Sequence, residues 1–144
     1  MNNLLKFILA PASPQLFEWA FVFMRISLGI ITMFHGLPKM MGGVETWNNL
    51  GTFVHPLGIY FWPLMWGFLG ACTEFFGGIM LTVGFGTRIA MIALVFMMIV
   101  ATAWHIDRGD GFNQYSYPLT LIFIYVAFFI MGAGPFSIDT WLTR

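Results

Sequence analysis

Apolar and polar residues do not alternate along this chain; the apolar ones gather into long runs divided by short polar stretches. The first run covers residues 16–36, just behind the breaker Pro11-Ala-Ser-Pro14. At ~1.5 Å per residue it is long enough to cross a hydrocarbon core of ~30 Å. The second, residues 59–83, is interrupted only by Pro63 and Glu74, and the third, residues 88–106, is almost unbroken Ile, Ala, Met, Leu and Val. The fourth covers residues 117–134, with Pro118 expected in the first turn, where its missing N–H costs nothing, and with Gly132-Ala-Gly-Pro135 as the stop. The pattern predicts an all-α protein, a four-transmembrane-helix bundle forming one domain over residues 16–144, with residues 1–15 as an interfacial lead-in. A cleavable signal peptide is the competing reading of the first run, but that run is too long for the apolar part of a signal and carries Arg25 in its middle.

Composition agrees with a lipid solvent. Of the 144 residues, 59% are hydrophobic and 8% charged, with a mean hydropathy of +0.83; soluble domains carry about a quarter charged residues. Many of the aromatic residues flank the loops, where amphipathic rings settle at a membrane interface. The formal charge is zero, which removes the long-range attraction of a basic protein for nucleic acid. The turn Gly84-Phe-Gly-Thr87 is tight, whereas residues 37–58 and 107–116 form longer loops on the opposite face. Lys6, Arg88 and Arg144 then stand on the side of the termini against Lys39 and Arg108 on the other, a margin that favours cytoplasmic termini.

Two charges fall inside the runs. Arg25 lies about nine residues from the start of the first and Glu74 about nine from the end of the second, which runs the opposite way, so both are expected near mid-depth. A lone charge at the bilayer centre costs roughly 2.5–3.5 kcal/mol on insertion scales, so an intramembrane ion pair between Arg25 and Glu74 is predicted. Gly67, Gly70, Ala71, Gly77 and Gly78 share the helix face of Glu74, and Gly29, Thr32 and Gly36 form a similar stripe from Arg25, as expected where helices approach closely. Such a pair can lock the bundle, bind a headgroup or relay protons, and the sequence alone leaves these open.

His35 ends the first run and His105 the third, near Lys39, Asp107 and Arg108, which together suggest a polar mouth on the long-loop face. His35, Lys39 and His105 are therefore a candidate quinone or headgroup site, because imidazole titrates near neutrality and hydrogen-bonds carbonyls. The competing reading is a set of ordinary interface histidines bonded to water or lipid. Haem held between His35 and His105 would need both rings to face one cavity and is disfavoured. No spaced His/Cys set supports a metal site, the scattered methionines read as flexible packing, and Cys72 reads as a packing thiol. No phosphate loop, dinucleotide fingerprint or Ser/His/Asp grouping is present, so no self-contained catalytic motif marks the chain as an enzyme.

Several fragments form a wider pattern: Arg25-Ile-Ser-Leu-Gly29, Phe34-His-Gly36, Lys39, Glu74-Phe-Phe-Gly-Gly78, Gly84, Thr87-Arg88-Ile-Ala90 and the closing Gly134-Pro135-Phe-Ser-Ile-Asp139. In these the chain resembles the DoxX family, most specifically in Glu-x-x-Gly-Gly followed by Gly-x-x-Thr-Arg. The resemblance implies a four-helix bundle in a bacterial inner membrane and marks Arg25, Gly36, Lys39, Glu74, Gly78, Thr87 and Arg88 as family-like positions. It also implies links to quinone oxidoreductases of respiration or sulfur oxidation and to oxidative-stress complexes, in which small members serve as membrane subunits. The expected role is thus a membrane subunit of a quinone-linked oxidoreductase, with a membrane or redox partner protein. The alternatives are a non-enzymatic scaffold or assembly subunit and, further off, a small transporter or proton path, which would need a homo-oligomer for room.

Overall fold

The computed structural model describes residues 8–144, so the first half of the expected interfacial lead-in lies outside the described residues. From Pro14 onward the described residues form, in order, α1 Pro14–Met41, α2 Gly43–Gly51, α3 Pro63–Val83, α4 Thr87–Asp107, α5 Phe112–Met131 and α6 Ile138–Leu142, with a 3-10 helix, Thr52–Leu57, between α2 and α3. No strand occurs among the described residues. Helices α1, α3, α4 and α5 are each long and apolar enough to span a membrane. Their outward faces carry exposed Phe23, Ile89 and Phe123, a surface that only lipid solvates well.

Local chemistry sets the helix ends. Ser13 accepts a hydrogen bond from the Leu16 amide at 3.3 Å and Pro14 follows at the first helical position, so α1 starts where backbone donors would otherwise be orphaned. The helix then runs past Gly36, where the apolar run stops, as far as Met41 with Pro38 inside it. In α3, Pro63 fixes the first turn, and Trp62 before it takes a left-handed conformation (φ 53°), so the helix starts later than the apolar run. Helix α5 begins at Phe112, which places Pro118 inside the helix rather than in its first turn. The stretch 37–58 expected as a loop is largely helical, because its own apolar residues fold back over the bundle: Phe53 stacks on Trp104 with ring centroids 4.0 Å apart, and Trp47 packs edge-on to Phe68.

Two kinds of helix contact build the bundle. Between α1 and α3 the backbones touch: a Cβ placed on Gly36 would overlap the Phe75 backbone, and one on Gly78 the Met33 backbone, while one on Gly29 would come 2.6 Å from the Thr82 amide. Only glycine permits this approach. Between α3 and α4 side chains intervene instead, since Gly70 faces the thioether of Met97 and Gly77 the isobutyl group of Leu94. The core under these contacts comprises Phe21, Leu81, Met91, Leu94, Met98, Leu121, Tyr125 and Phe128.

Candidate functional site

The glycine contacts fix the register of α1 against α3, and with it the partners of the buried charges. Gly29 lies against Gly78 and Thr82, and Gly36 against Glu74 and Phe75, so Arg25 comes level with Gly84 and Glu74 with Gly36. Those two levels are eleven residues of α1 apart, about 16 Å along the axis at ~1.5 Å per residue. The expected Arg25–Glu74 pair is therefore not formed. Counting inward assumed that α1 begins level with the end of α3, but Arg25, eleven residues into α1, is already level with Gly84, so α1 starts well outside that level.

Arg25 serves the end of the bundle where the short α3–α4 turn and the C-terminal segment meet. It is 1% exposed. One guanidinium nitrogen donates to the carbonyls of Ala133 and, at 3.4 Å, Pro135; the other donates to the Phe136 carbonyl at 2.9 Å. These acceptors turn inward because Gly132 and Gly134 take positive φ and break α5 into a tight reversal. Phe136 also stacks on Trp19. Asp139 completes the clasp: its carboxylate accepts from the backbone amides of Gly86 at 2.7 Å and Thr87 at 3.0 Å, capping α4 from another part of the chain. Burial tends to raise the Asp139 carboxyl, but these amides and the Arg25 charge outweigh it and hold the group below the ordinary carboxylate range. Nearby, Arg88 donates to the carbonyls of Phe129 and Ile130 at the end of α5. The family-like Gly36, Gly78, Thr87 and Arg88 thus all stand in helix contacts or caps.

Glu74 serves the other end. Its two carboxylate oxygens accept from Lys39 Nζ at 2.6 and 2.5 Å. Lys39 is in the last turn of α1, and the Trp47 indole N–H bonds its carbonyl at 2.9 Å, tying α2 to that turn. The Lys39–Glu74 pair borders a cavity of about 190 Å³ whose wall also includes His35, His105, Tyr117 and Tyr125. The three residues expected at a polar mouth, His35, Lys39 and His105, therefore share one cavity, with His35 and Tyr117 exposed at its rim.

Each of these polar groups is held. The Tyr117 hydroxyl lies 3.3 Å from His35 Nε2, and His105 Nδ1 lies 2.7 Å from the Asp110 carboxylate. Deeper in, the hydroxyls of Thr32 and Tyr125 are 2.7 Å apart, and Tyr125 is fully buried. Arg108 covers the Trp104 face at 4.4 Å, while Asp107 points outward and is exposed. Tyr117, Tyr125 and Asp110 were missed as site residues. A hydroxyl inside the fourth apolar run was the available signal for the two tyrosines, since a buried phenol needs a partner. Cys72 packs with its sulfur 3.6 Å from that of Met40, and no group of three metal-binding side chains occurs among the described residues.

Chemically, the cavity offers donors at its rim, a charged pair on its flank and aromatic and aliphatic walls, a setting for a flat, mostly apolar molecule with polar oxygens. A family model described as DoxX matches residues 20–106, more than half of the chain. Comparisons with curated proteins and with solved structures gave no match.

Proposed function

The chain belongs to the DoxX family of membrane proteins, and from that premise we propose that it is the membrane subunit of a quinone-linked oxidoreductase, its loop-end cavity receiving the quinone ring. The observation that carries this reading is the convergence of His35, Lys39, His105 and Tyr117 on one cavity, where Thr32, Glu74, Gln114 and Tyr125 add further polar groups among apolar side chains such as Phe53 and Leu121. A quinone has two carbonyl acceptors on a flat apolar ring, and the donor set fits it: hydroxyl and imidazole N–H at the rim, ammonium at the flank, ring faces between them. When bound, a quinone supplies two-electron redox chemistry coupled to proton exchange. His35 and Tyr117 orient a carbonyl at the rim, Lys39 meets an acceptor on the inner side, and Asp110 fixes the ring nitrogen of His105 that does not face the cavity. In this reading the electrons come from a redox partner protein in the membrane or at its surface.

The small-residue faces are covered within the chain, Gly29, Gly36 and Gly78 between α1 and α3, Gly67 against α2, and Gly70 and Gly77 against α4, which leaves a scaffold without that surface for a partner helix. The test is titration of the purified protein in nanodiscs with a short-chain quinone analogue, followed by tryptophan fluorescence. The expected result is saturable binding weakened by about tenfold or more when His35→Ala and His105→Ala are combined, as loss of two hydrogen bonds to a bound acceptor would give. Absence of binding in the intact protein, or binding indifferent to both substitutions, overturns the proposal.

A further inference from the structure

A second cavity, of about 250 Å³, lies on the other side of the same ion pair. It shares Lys39, Phe53, Glu74 and Ala101 with the polar cavity, yet apart from Thr73 it is otherwise lined by apolar residues of α2, α3, α4 and the 3-10 helix. Two of its lining residues, Leu69 on α3 and Phe96 on α4, are 45% and 41% exposed on the lipid-facing surface. The cavity therefore has its mouth between these helices, where Gly70 and Gly77 meet side chains of α4 rather than its backbone. Trp66 lines this cavity, and its buried indole N–H has no partner among the described residues. Trp66 precedes Glu74 by eight residues, about 12 Å along α3. An apolar chamber open to lipid, with a donor at one end and an ammonium at the other, has the chemistry of a passage for an amphiphile with acceptor oxygens.

We infer that this second cavity is the lateral entrance and tail channel of the site: a lipophilic molecule bearing carbonyl or ether oxygens passes from the bilayer between α3 and α4, and its apolar tail stays there while its polar ring reaches the far side of the Lys39–Glu74 pair. The inference rests on the ring site proposed above and adds the class of ligand, one with a long alkyl or prenyl tail. Trp66 gives the incoming oxygen a hydrogen bond before Lys39 does, so the ring does not cross the chamber wholly unsatisfied. Tail length is then recognised inside the protein, by burial along α3 and α4.

The experiment compares two quinone analogues with the same ring, one without a tail and one with a decyl tail, on the intact protein in nanodiscs and on Ala93→Phe, which fills the channel from α4. Because the bilayer concentrates the tailed molecule, affinities are compared at equal mole fraction in lipid. The intact protein is expected to bind the tailed analogue about tenfold or more tighter, and Ala93→Phe to erase that advantage while leaving the tailless analogue within about twofold. Gly70→Leu repeats the test from α3, where an added Cβ would meet the flexible Met97 side chain, and unchanged melting temperatures verify that both variants fold. Equal binding of the two analogues by the intact protein, or equal loss of both in the folded variants, overturns the tail channel while the ring site stands. Failure of the intact protein to bind either overturns both.

Discussion

The two ends of the bundle use buried charge in opposite ways. At the end of the termini, Arg25 is enclosed among backbone carbonyls, and Asp139 is fastened to backbone amides. The hydrogen-bond partners of both charges are main chain, and the result is a clasp that ties the C-terminal segment to α1 and to the α3–α4 turn. At the loop end the partners are side chains. Glu74 holds Lys39, His35 meets Tyr117, His105 meets Asp110, and all but Asp110 face a shared hollow. Main-chain partners cannot leave without unfolding local structure, whereas side-chain partners can rotate and exchange a neighbour for a ligand. A charge bonded to the backbone thus builds the fold, and a charge bonded to another side chain beside a cavity is free to work.

The sharpest way to break this contrast is Arg25→Ala. It strips donors from the Ala133, Pro135 and Phe136 carbonyls in a buried site, at an expected cost on the order of 3 kcal/mol or more. Melting in detergent, followed by far-ultraviolet circular dichroism, should show a large loss of stability; a variant that melts like the parent would mean that the clasp is ornamental. Next comes Glu74→Gln, which leaves Lys39 without its counter-charge. Because the Lys39 side chain is 34% exposed against 7% for Glu74, water compensates in part, and the expected loss is about 1–2 kcal/mol. Exchanging the two residues, Lys39→Glu with Glu74→Lys, should recover more stability than either single reversal retains, a comparison made from the same melting curves.

Asp139→Asn should cost about 1 kcal/mol, the usual worth of a capping carboxylate at a helix start. Its pH dependence gives the sign. The folded protein holds the Asp139 carboxyl below its unfolded value of about 3.9, so its contribution is complete above that pH and fades as pH falls through the lowered value. The gap between parent and variant in melting temperature should therefore be open at pH 6 and close as the solution is taken below pH 4; a gap that widens on acidification would contradict the assignment. The smallest stability effect belongs to Tyr117→Phe, about 0.5–1 kcal/mol at an exposed rim, but its effect on binding of a quinone analogue should exceed its effect on melting. Equal small effects on both would place Tyr117 with the scaffold instead of the site.

Much of this was legible in the one-dimensional pattern. Four runs of lipid-compatible length, punctuated by Gly84-Phe-Gly-Thr87 and Gly132-Ala-Gly-Pro135, locate the spanning helices, because hydropathy and turn chemistry are local properties. Grouping His35, Lys39 and His105 at one mouth followed from topology alone: alternate helix ends meet on the same face. Helix ends were less legible. Helices α1 and α5 overrun their apolar runs, because an interfacial turn of helix needs capping and cover rather than hydropathy.

By itself, the sequence determined that this is a membrane bundle and that Arg25 and Glu74 each require a partner, since an unpaired charge in hydrocarbon is too costly to keep. Which partner each found was decided only in three dimensions. The α1–α3 register follows from where glycines let two backbones touch, and that contact sets Arg25 and Glu74 about 16 Å apart along the axis. Arg25 then met carbonyls that the chain brings back from more than a hundred residues away, and Glu74 met Lys39 because α1 continues past Gly36 into the interface. Charge pairing at such separations depends on the packing of surfaces, a collective property that no count along one helix contains.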